Sequence, residues 1–311
     1  MGRPPISNEQ YAFRLNHVLD YIDAQLDGDL SLETLAEQAH FSRFHFLRVF
    51  QDWYGEAPMA YVRRRRLEAG AALLRYGDHS VAGIALRCGF DTADGFTRSF
   101  RQYFGTTPVR WRQSGGPVAT AATAATPPPA DPADFADLDD FVGGPAPPPA
   151  AAQAWAVRVE HLPETRVAYT RRVGAYGEAS AAQWQQLADW MQQRRLSGLV
   201  RYGMGLDDPG VTPAAKCRYD VCVALPANFE PPPRTPIKMV PGGLHAVLAY
   251  AGPPEGSAAA WVWLLKQWLP RSPHQLAPRA AFERYPAALP DPGGQAQDCE
   301  LCLPLMWAGG L

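Results

Sequence analysis

Residues 31–58 read SLETLAEQAHFSRFHFLRVFQDWYGEAP, and residues 80–108 read SVAGIALRCGFDTADGFTRSFRQYFGTTP. In the first stretch Ser31 is placed to cap a short helix, Leu32–Ala39. His40-Phe41 makes a tight turn, Ser42 caps a second helix, and Gly55 ends it ahead of Pro58. Two helices joined by a turn of about 3–4 residues form a helix-turn-helix. The second stretch repeats the first: Ala36, Phe41, Phe46, Arg48, Phe50, Gly55 and Pro58 are matched by Ala85, Phe90, Phe96, Arg98, Phe100, Gly105 and Pro108. The offset is 49 residues for the first two pairs and 50 for the others, which marks a duplication.

Working outward, Ser7 and Gln10 form a capping box. Leu15, Val18, Leu19, Ile22 and Leu26 follow at helical spacing, so the chain before the first unit is a helix too. A long helix, roughly Met59–Tyr76, joins the two units. Such a connector would hold two recognition helices in one relation, suited to successive major-groove segments ~34 Å apart.

Charge placement agrees. The 311 residues carry a net charge of −2, but residues 40–113 alone hold 12 Arg against 6 acids. A basic stretch of this kind suits phosphate. Its densest part is Arg63-Arg64-Arg65-Arg66. Four consecutive helical residues spread around the whole circumference, so at most two face phosphate together. Counterion release predicts salt-dependent binding.

The residues from Leu30 to Ala36, with Ser42, Leu47-Arg48-Val49-Phe50, Tyr61 and Arg66-Leu67, resemble the first half of an AraC/XylS-type DNA-binding domain. Ile84-Ala85, Gly89-Phe90, the run Phe96–Arg101, Phe104–Pro108 and Arg112 resemble its second half. The resemblance implies double-stranded DNA as a partner, with RNA polymerase as a protein partner. It implies that Arg43, Phe44, Leu47 and Arg48 of the first recognition helix, and Ala93, Asp94, Thr97 and Arg98 of the second, face the DNA. Arg bonds guanine O6 and N7 together. Phe44 either packs on a thymine methyl or sugar or joins Phe46 and Phe50 in the core. Asp94 either selects against many sequences or pairs with Arg98, and Gly95, in mid-helix, costs ~1 kcal/mol against Ala. The resemblance also gives Arg66 a structural role.

Residues 114–154 are nearly all Ala, Pro, Gly, Thr and acid, with two Pro triplets and no Lys or Arg. They read as a semi-stiff linker. Within it Asp134–Phe141 is acidic and aromatic, either solubilising or a docking segment for a basic surface.

Residues 155–311 repeat as well. Val167–Tyr169, Gly174 and a helix through Trp184, Leu187 and Trp190 parallel Val247–Tyr250, Gly252 and a helix through Trp261, Leu265 and Trp268. Asp220–Val223 parallels Glu300–Leu303. The expected fold is therefore an all-α double helix-turn-helix domain (1–113) followed by an α+β domain (155–311) of two strand-helix-strand-strand repeats around a pocket. Asp207-Asp208-Pro209, Arg218–Val223, Val240–Gly243 and Phe282–Tyr285 resemble a GyrI-like small-molecule-binding domain, and the whole order resembles the Rob-like regulators. That resemblance makes Glu283 the pocket carboxylate, drawing a cationic or aromatic effector between rings. Tyr169, Tyr176, Trp184, Tyr250, Trp261, Tyr285 and Trp307 are candidate walls, Trp190 and Trp268 read as core, and Arg279 or Arg284 would instead neutralise Glu283.

Other chemistry finds little support. Cys299 and Cys302 have C-x-x-C spacing, but residues three apart on a strand face opposite ways, and the seven histidines form no metal pattern. Neither metal nor cofactor is expected, and no phosphate loop or local Ser-His-Asp signature occurs. Five cysteines without a disulfide ladder fit a reducing cytoplasm, with association to the nucleoid. No run approaches the ~18 apolar residues of a membrane span, and residues 1–5 lack a signal core. The expectation is a DNA-binding regulator rather than an enzyme. The alternative is a GyrI-like hydrolase or sequestering binder of a reactive small molecule, with Glu283 as acid or base.

Overall fold

The computed structural model describes residues 7–77, 79–116, 155–176, 180–277, 279–286 and 297–307. The expected linker lies outside them from residue 117 on, including Asp134–Phe141. The first part contains α1 (Asn8–Ala24), α2 (Leu32–Gln38), α3 (Arg43–Tyr54), α4 (Pro58–Tyr76), α5 (Val81–Arg87), α6 (Ala93–Phe104) and α7 (Pro108–Ser114).

Local chemistry sets these bounds. Ser7, Ser31, Ser42, Ser80, Thr92 and Thr107 each accept a hydrogen bond from the backbone N–H three residues on, satisfying a donor that the helix cannot. Helix α4 instead starts at Pro58, whose missing N–H costs nothing there. Helices α3 and α6 both end on a left-handed glycine, Gly55 and Gly105. Gly95 is in the first turn of α6 rather than mid-helix, and its N–H donates to Thr92 Oγ1.

Two cores flank α4. Tyr61 and Val62 pack with Leu15, Leu19, Ile22, Phe46 and Phe50. One turn on, Leu67, Ala71 and Leu74 pack with Ile84, Phe96, Phe100 and Trp111. The turn between α5 and α6 is the tightest point. Gly89 has φ +69°, and a Cβ there would lie 2.5 Å from the Leu26 carbonyl oxygen and 2.7 Å from Arg66 Cζ. Arg66 donates to the carbonyls of Leu26 (2.8 Å) and Gly28 (2.7 Å), tying the end of α1 to α4. Gly89→Ala is therefore expected to lower stability by on the order of 1–2 kcal/mol, read as a drop in thermal midpoint. A midpoint equal to wild type would show that the turn relaxes freely.

The described residues of the second part form a nine-stranded sheet with strands β1 (Val157–Leu162), β2 (Thr165–Val173), β3 (Arg201–Gly205), β4 (Arg218–Ala224), β5 (Ile237–Val240), β6 (Gly243–Gly252), β7 (His274–Leu276), β8 (Phe282–Tyr285) and β9 (Gln297–Trp307). Their order is β1-β6-β9-β8-β3-β4-β2-β5, with β7 on the end of β9, and every pairing is antiparallel. Helices α8 (Ser180–Gln193) and α9 (Pro254–Trp263) cover one face. Strand alternation sorts the residues. Val221, Val223, Leu248, Leu301 and Tyr285 face the helices, while Tyr169, Tyr202, Cys222, Phe282 and Cys302 form a second core on the opposite face. Cys299 and Cys302 fall on different faces, both buried and both free thiols.

Candidate functional site

On α3 the residues between core positions point outward. Phe46 and Phe50 are fully buried, whereas Arg43, Phe44, Leu47 and Arg48 are exposed, Phe44 to 77%. Phe44 is thus not a core residue; the Arg43 guanidinium lies 5.4 Å from its ring centroid and also pairs with Glu33 at 2.6 Å. On α6, Asp94 and Arg98 are exposed and Ala93 and Thr97 half-buried, around the buried Phe96 and Phe100. Asp94 lies in the first turn of α6, where a negative charge meets the positive end of the helix dipole. Among the described residues it makes no ion pair with Arg98.

The four consecutive arginines have four different surroundings, and only Arg63 is exposed. Arg63 donates to Ser99 Oγ (2.9 Å) and Gln102 Oε1 (3.3 Å) on α6. Arg64 is buried between Glu56 (2.7 Å) and Glu68 (3.0 Å). Arg65 turns to the second domain, and Arg66 holds the end of α1. The run that reads as a basic face is largely internal wiring.

In the second domain Glu283, on β8, accepts hydrogen bonds at Oε2 from Tyr285 (2.8 Å) and Tyr219 (3.2 Å), and Trp261 of α9 adds another. Gly203, opposite Glu283 on β3, makes the room. A Cβ there would lie 2.2 Å from the Tyr219 hydroxyl and 3.0 Å from Glu283 Oε2. Burial pushes the Glu283 carboxyl above the usual carboxylate range, against the three hydrogen bonds. Neither suspected cation reaches it. Arg284 turns to the other face and pairs with Glu300 (2.6 Å) and Glu160 (3.0 Å), while Arg279 donates to the carbonyls of Gly242 and Leu305.

Trp184 meets the Tyr285 ring at 5.1 Å, edge-on, and Tyr176 lies 5.9 Å from the Tyr219 ring. Tyr250 shares the helix face and donates to the Pro253 carbonyl at the start of α9. Two candidate walls are elsewhere. Tyr169 is on the opposite face of the sheet, paired across strands with Cys222, and its hydroxyl donates to Asp20 of α1. Trp307 is 62% exposed at the end of β9, beside His274. Tyr219, not among the sequence candidates, is central; its neighbours Arg218 and Asp220 gave a signal, because charges at every second position of an apolar strand need buried partners.

Those partners are Asp207, Arg171 and Lys238 of the same domain, and through them and Arg218 the network reaches the first domain. Arg218 donates to Asp207 through Nε (2.9 Å) and Nη2 (2.8 Å), and to Asp23 of α1 through Nη1 (2.6 Å). Arg65 of α4 meets Asp23 (3.3 Å), Glu68 (3.0 Å) and Asp207. Arg171 bridges Asp220 (2.7 Å) and Asp20 (2.6 Å), with Lys238 as a second cation on Asp220. Lys216–Glu56 (3.1 Å) and Arg75–Asp208 (3.5 Å) extend the contact along α4.

Burial raises the carboxyls of Asp23, Asp207 and Asp220, but the cations win and hold all three below the usual range. Arg218 and Arg65 do this for Asp23 and Asp207, and Arg171 and Lys238 for Asp220. Folded-state values below unfolded ones mean stability that is complete above the ordinary carboxylate pKa. It is lost as pH falls through the depressed values. Among the described residues no three His, Cys, Asp or Glu side chains form a metal-binding group, and no helix is long and apolar enough to cross a membrane.

Comparison with known proteins finds two separate matches along the chain. A GyrI-like small-molecule-binding domain matches residues 156–306, and a helix-turn-helix domain matches residues 35–114. "Probable transcription factor PqrA" of Proteus vulgaris is 36% identical over 103 residues, 32% of this chain and 84% of its own. Right origin-binding protein of Escherichia coli K12 is 38% identical over 100 residues, 32% of this chain and 35% of its own. The matched segment thus spans about a third of that second relative. The DNA-binding domain of AdpA, solved with a target DNA, is 32% identical over 32% of this chain and 91% of its own, with a TM-score of 0.32. The chain belongs to the AraC-type helix-turn-helix transcription regulators, in the form that carries a GyrI-like small-molecule-binding domain.

Proposed function

We propose that residues 1–113 read a DNA sequence through Arg48 and Arg98, and that residues 155–311, tethered by 114–154, bind an organic cation at Glu283. Exposure of Arg43, Phe44, Leu47, Arg48, Asp94 and Arg98 on two duplicated helices supports the first half. Ala93 and Thr97, half-buried on α6, complete that face. RNA polymerase is the protein partner we assign, and the cytoplasm, at the nucleoid, the compartment.

The second domain is read as two strand-helix-strand-strand repeats, β2-α8-β3-β4 and β6-α9-β8-β9. The sheet order supports this, because it is the same from either end once the repeats are exchanged. Strands β1 and β5 each pair with the other repeat.

The observation that carries the ligand reading is Glu283 itself. It is a carboxylate bonded by two phenols and an indole, with no cation beside it among the described residues. A desolvated carboxylate among ring faces attracts a cation by charge and by cation–π contact of ~0.5–2 kcal/mol per ring. Tyr176, Trp184, Tyr250, Trp261 and Tyr285 remain the candidate walls, with Tyr219 added; Tyr169 and Trp307 are left out.

Calorimetry with tetraphenylphosphonium tests the reading. Wild type is expected to bind it more tightly as pH rises through the raised Glu283 pKa, and Glu283→Gln to weaken it at least tenfold. Equal affinity in wild type and variant would refute the assignment. Turnover of a reactive ester by wild type and not by Glu283→Gln would favour the hydrolase instead.

A further inference from the structure

Strand β4 has two working faces. Tyr219 turns toward the helices and donates to Glu283. The residues on either side of it, Arg218 and Asp220, turn the other way and carry the ion pairs to Asp23, and through Arg171 to Asp20. Tyr176 reinforces the link, its one hydroxyl proton shared between the carbonyls of Asp207 (2.9 Å) and Arg218 (3.1 Å) while its ring packs on Tyr219. A single extended segment thus carries both a hydroxyl on the pocket carboxylate and a guanidinium that reaches the DNA-reading domain.

The junction leaves the reading helices open, since Phe44, Arg48 and Arg98 stay exposed with the domains docked. What it grips is α1 and α4, at Asp20, Asp23, Arg65 and Arg75. Helix α4 is the connector whose opposite ends enter the cores of the two helix-turn-helix units. An effector domain fastened there acts on how the two reading helices are related rather than by covering them.

We infer that β4 couples the pocket to this ion-pair latch: a cation that takes Glu283 from Tyr219 releases β4, and with it the hold of Arg218 and Arg171 on α1. The inference rests on the Glu283 reading and adds the route by which occupancy is reported. Coupling is reciprocal, so weakening the latch from the DNA-binding side must change affinity in the pocket. With the latch weakened, β4 is freer to let Tyr219 go, and the sign is toward tighter binding.

The test uses the full chain and tetraphenylphosphonium. Asp23→Asn, on α1 and with no contact to Glu283, is expected to tighten binding at least threefold, while Glu33→Gln, at the exposed pair with Arg43, leaves it unchanged. The same affinity in wild type and Asp23→Asn would overturn the coupling. If wild type does not bind the probe, the cation reading fails by itself, and the coupling is read from amide exchange. Glu283→Gln is then expected to alter exchange of residues 18–24 at least threefold, with β6 and β9 unchanged as controls. Equal exchange of residues 18–24 in the two proteins would overturn it.

Discussion

Arg218→Ala is expected to lower the stability of the full chain by ~3 kcal/mol and to separate its two domains. Arg218 is only 2% exposed, and it holds Asp207, which is fully buried, together with Asp23. Removing one partner of a buried pair leaves the other charge desolvated, which is why such losses run to about 3–5 kcal/mol. The lower figure applies here because Arg65 still reaches Asp207, and the backbone N–H of residue 218 still donates to it at 2.7 Å. Both Asp207 and Asp23 should also move back up toward ordinary carboxylate pKa values, so the deficit shrinks in acid. Urea unfolding measures the loss, and small-angle scattering reads the separation as a larger radius of gyration. A variant with wild-type stability and dimensions would mean that the two domains do not dock through this cluster.

The helical part was legible in the sequence because its signals are local. Ser31, Ser42, Gly55 and Pro58 fix helix ends through bonds within a few residues, and the second copy repeats them. Of the candidate site, Glu283 is marked in the sequence by a contiguous motif, Phe282–Tyr285. The walls are not marked in that way. The run Val167-Ala168-Tyr169 is buried on both faces, so no polar alternation shows which way Tyr169 points. Tyr219 differs: Arg218-Tyr219-Asp220 does alternate, but its charged residues are buried too, so the alternation marks no solvent face. Asp20 and Asp23 look like the solvent side of an amphipathic helix, and their true partners are about 150–200 residues away, beyond the reach of any periodicity. The arginine run misled for a related reason: charge density says nothing about which guanidinium finds an internal carboxylate.

Arg48→Ala and Arg98→Ala are the second pair of large effects. Each exposed guanidinium crowns a helix whose orientation is fixed by two buried phenylalanines, Phe46 and Phe50 for one, Phe96 and Phe100 for the other. A bidentate Arg–guanine contact supplies about 1–3 kcal/mol of discrimination, so each variant should lose roughly 5- to 150-fold preference at the base it reads. Phosphate contacts are separate, and affinity for non-specific DNA should change far less than preference. Because the two arginines are on different units, the losses should fall in different halves of the site.

Selection of bound sequences from a random duplex pool by the full-length wild type, Arg48→Ala and Arg98→Ala is the most direct single measurement. Two short preferred elements about one helical turn apart are predicted for wild type, with one element relaxed by Arg48→Ala and the other by Arg98→Ala. No enrichment over scrambled competitor at moderate salt, or loss of the same element in both variants, would contradict a doubled reading head.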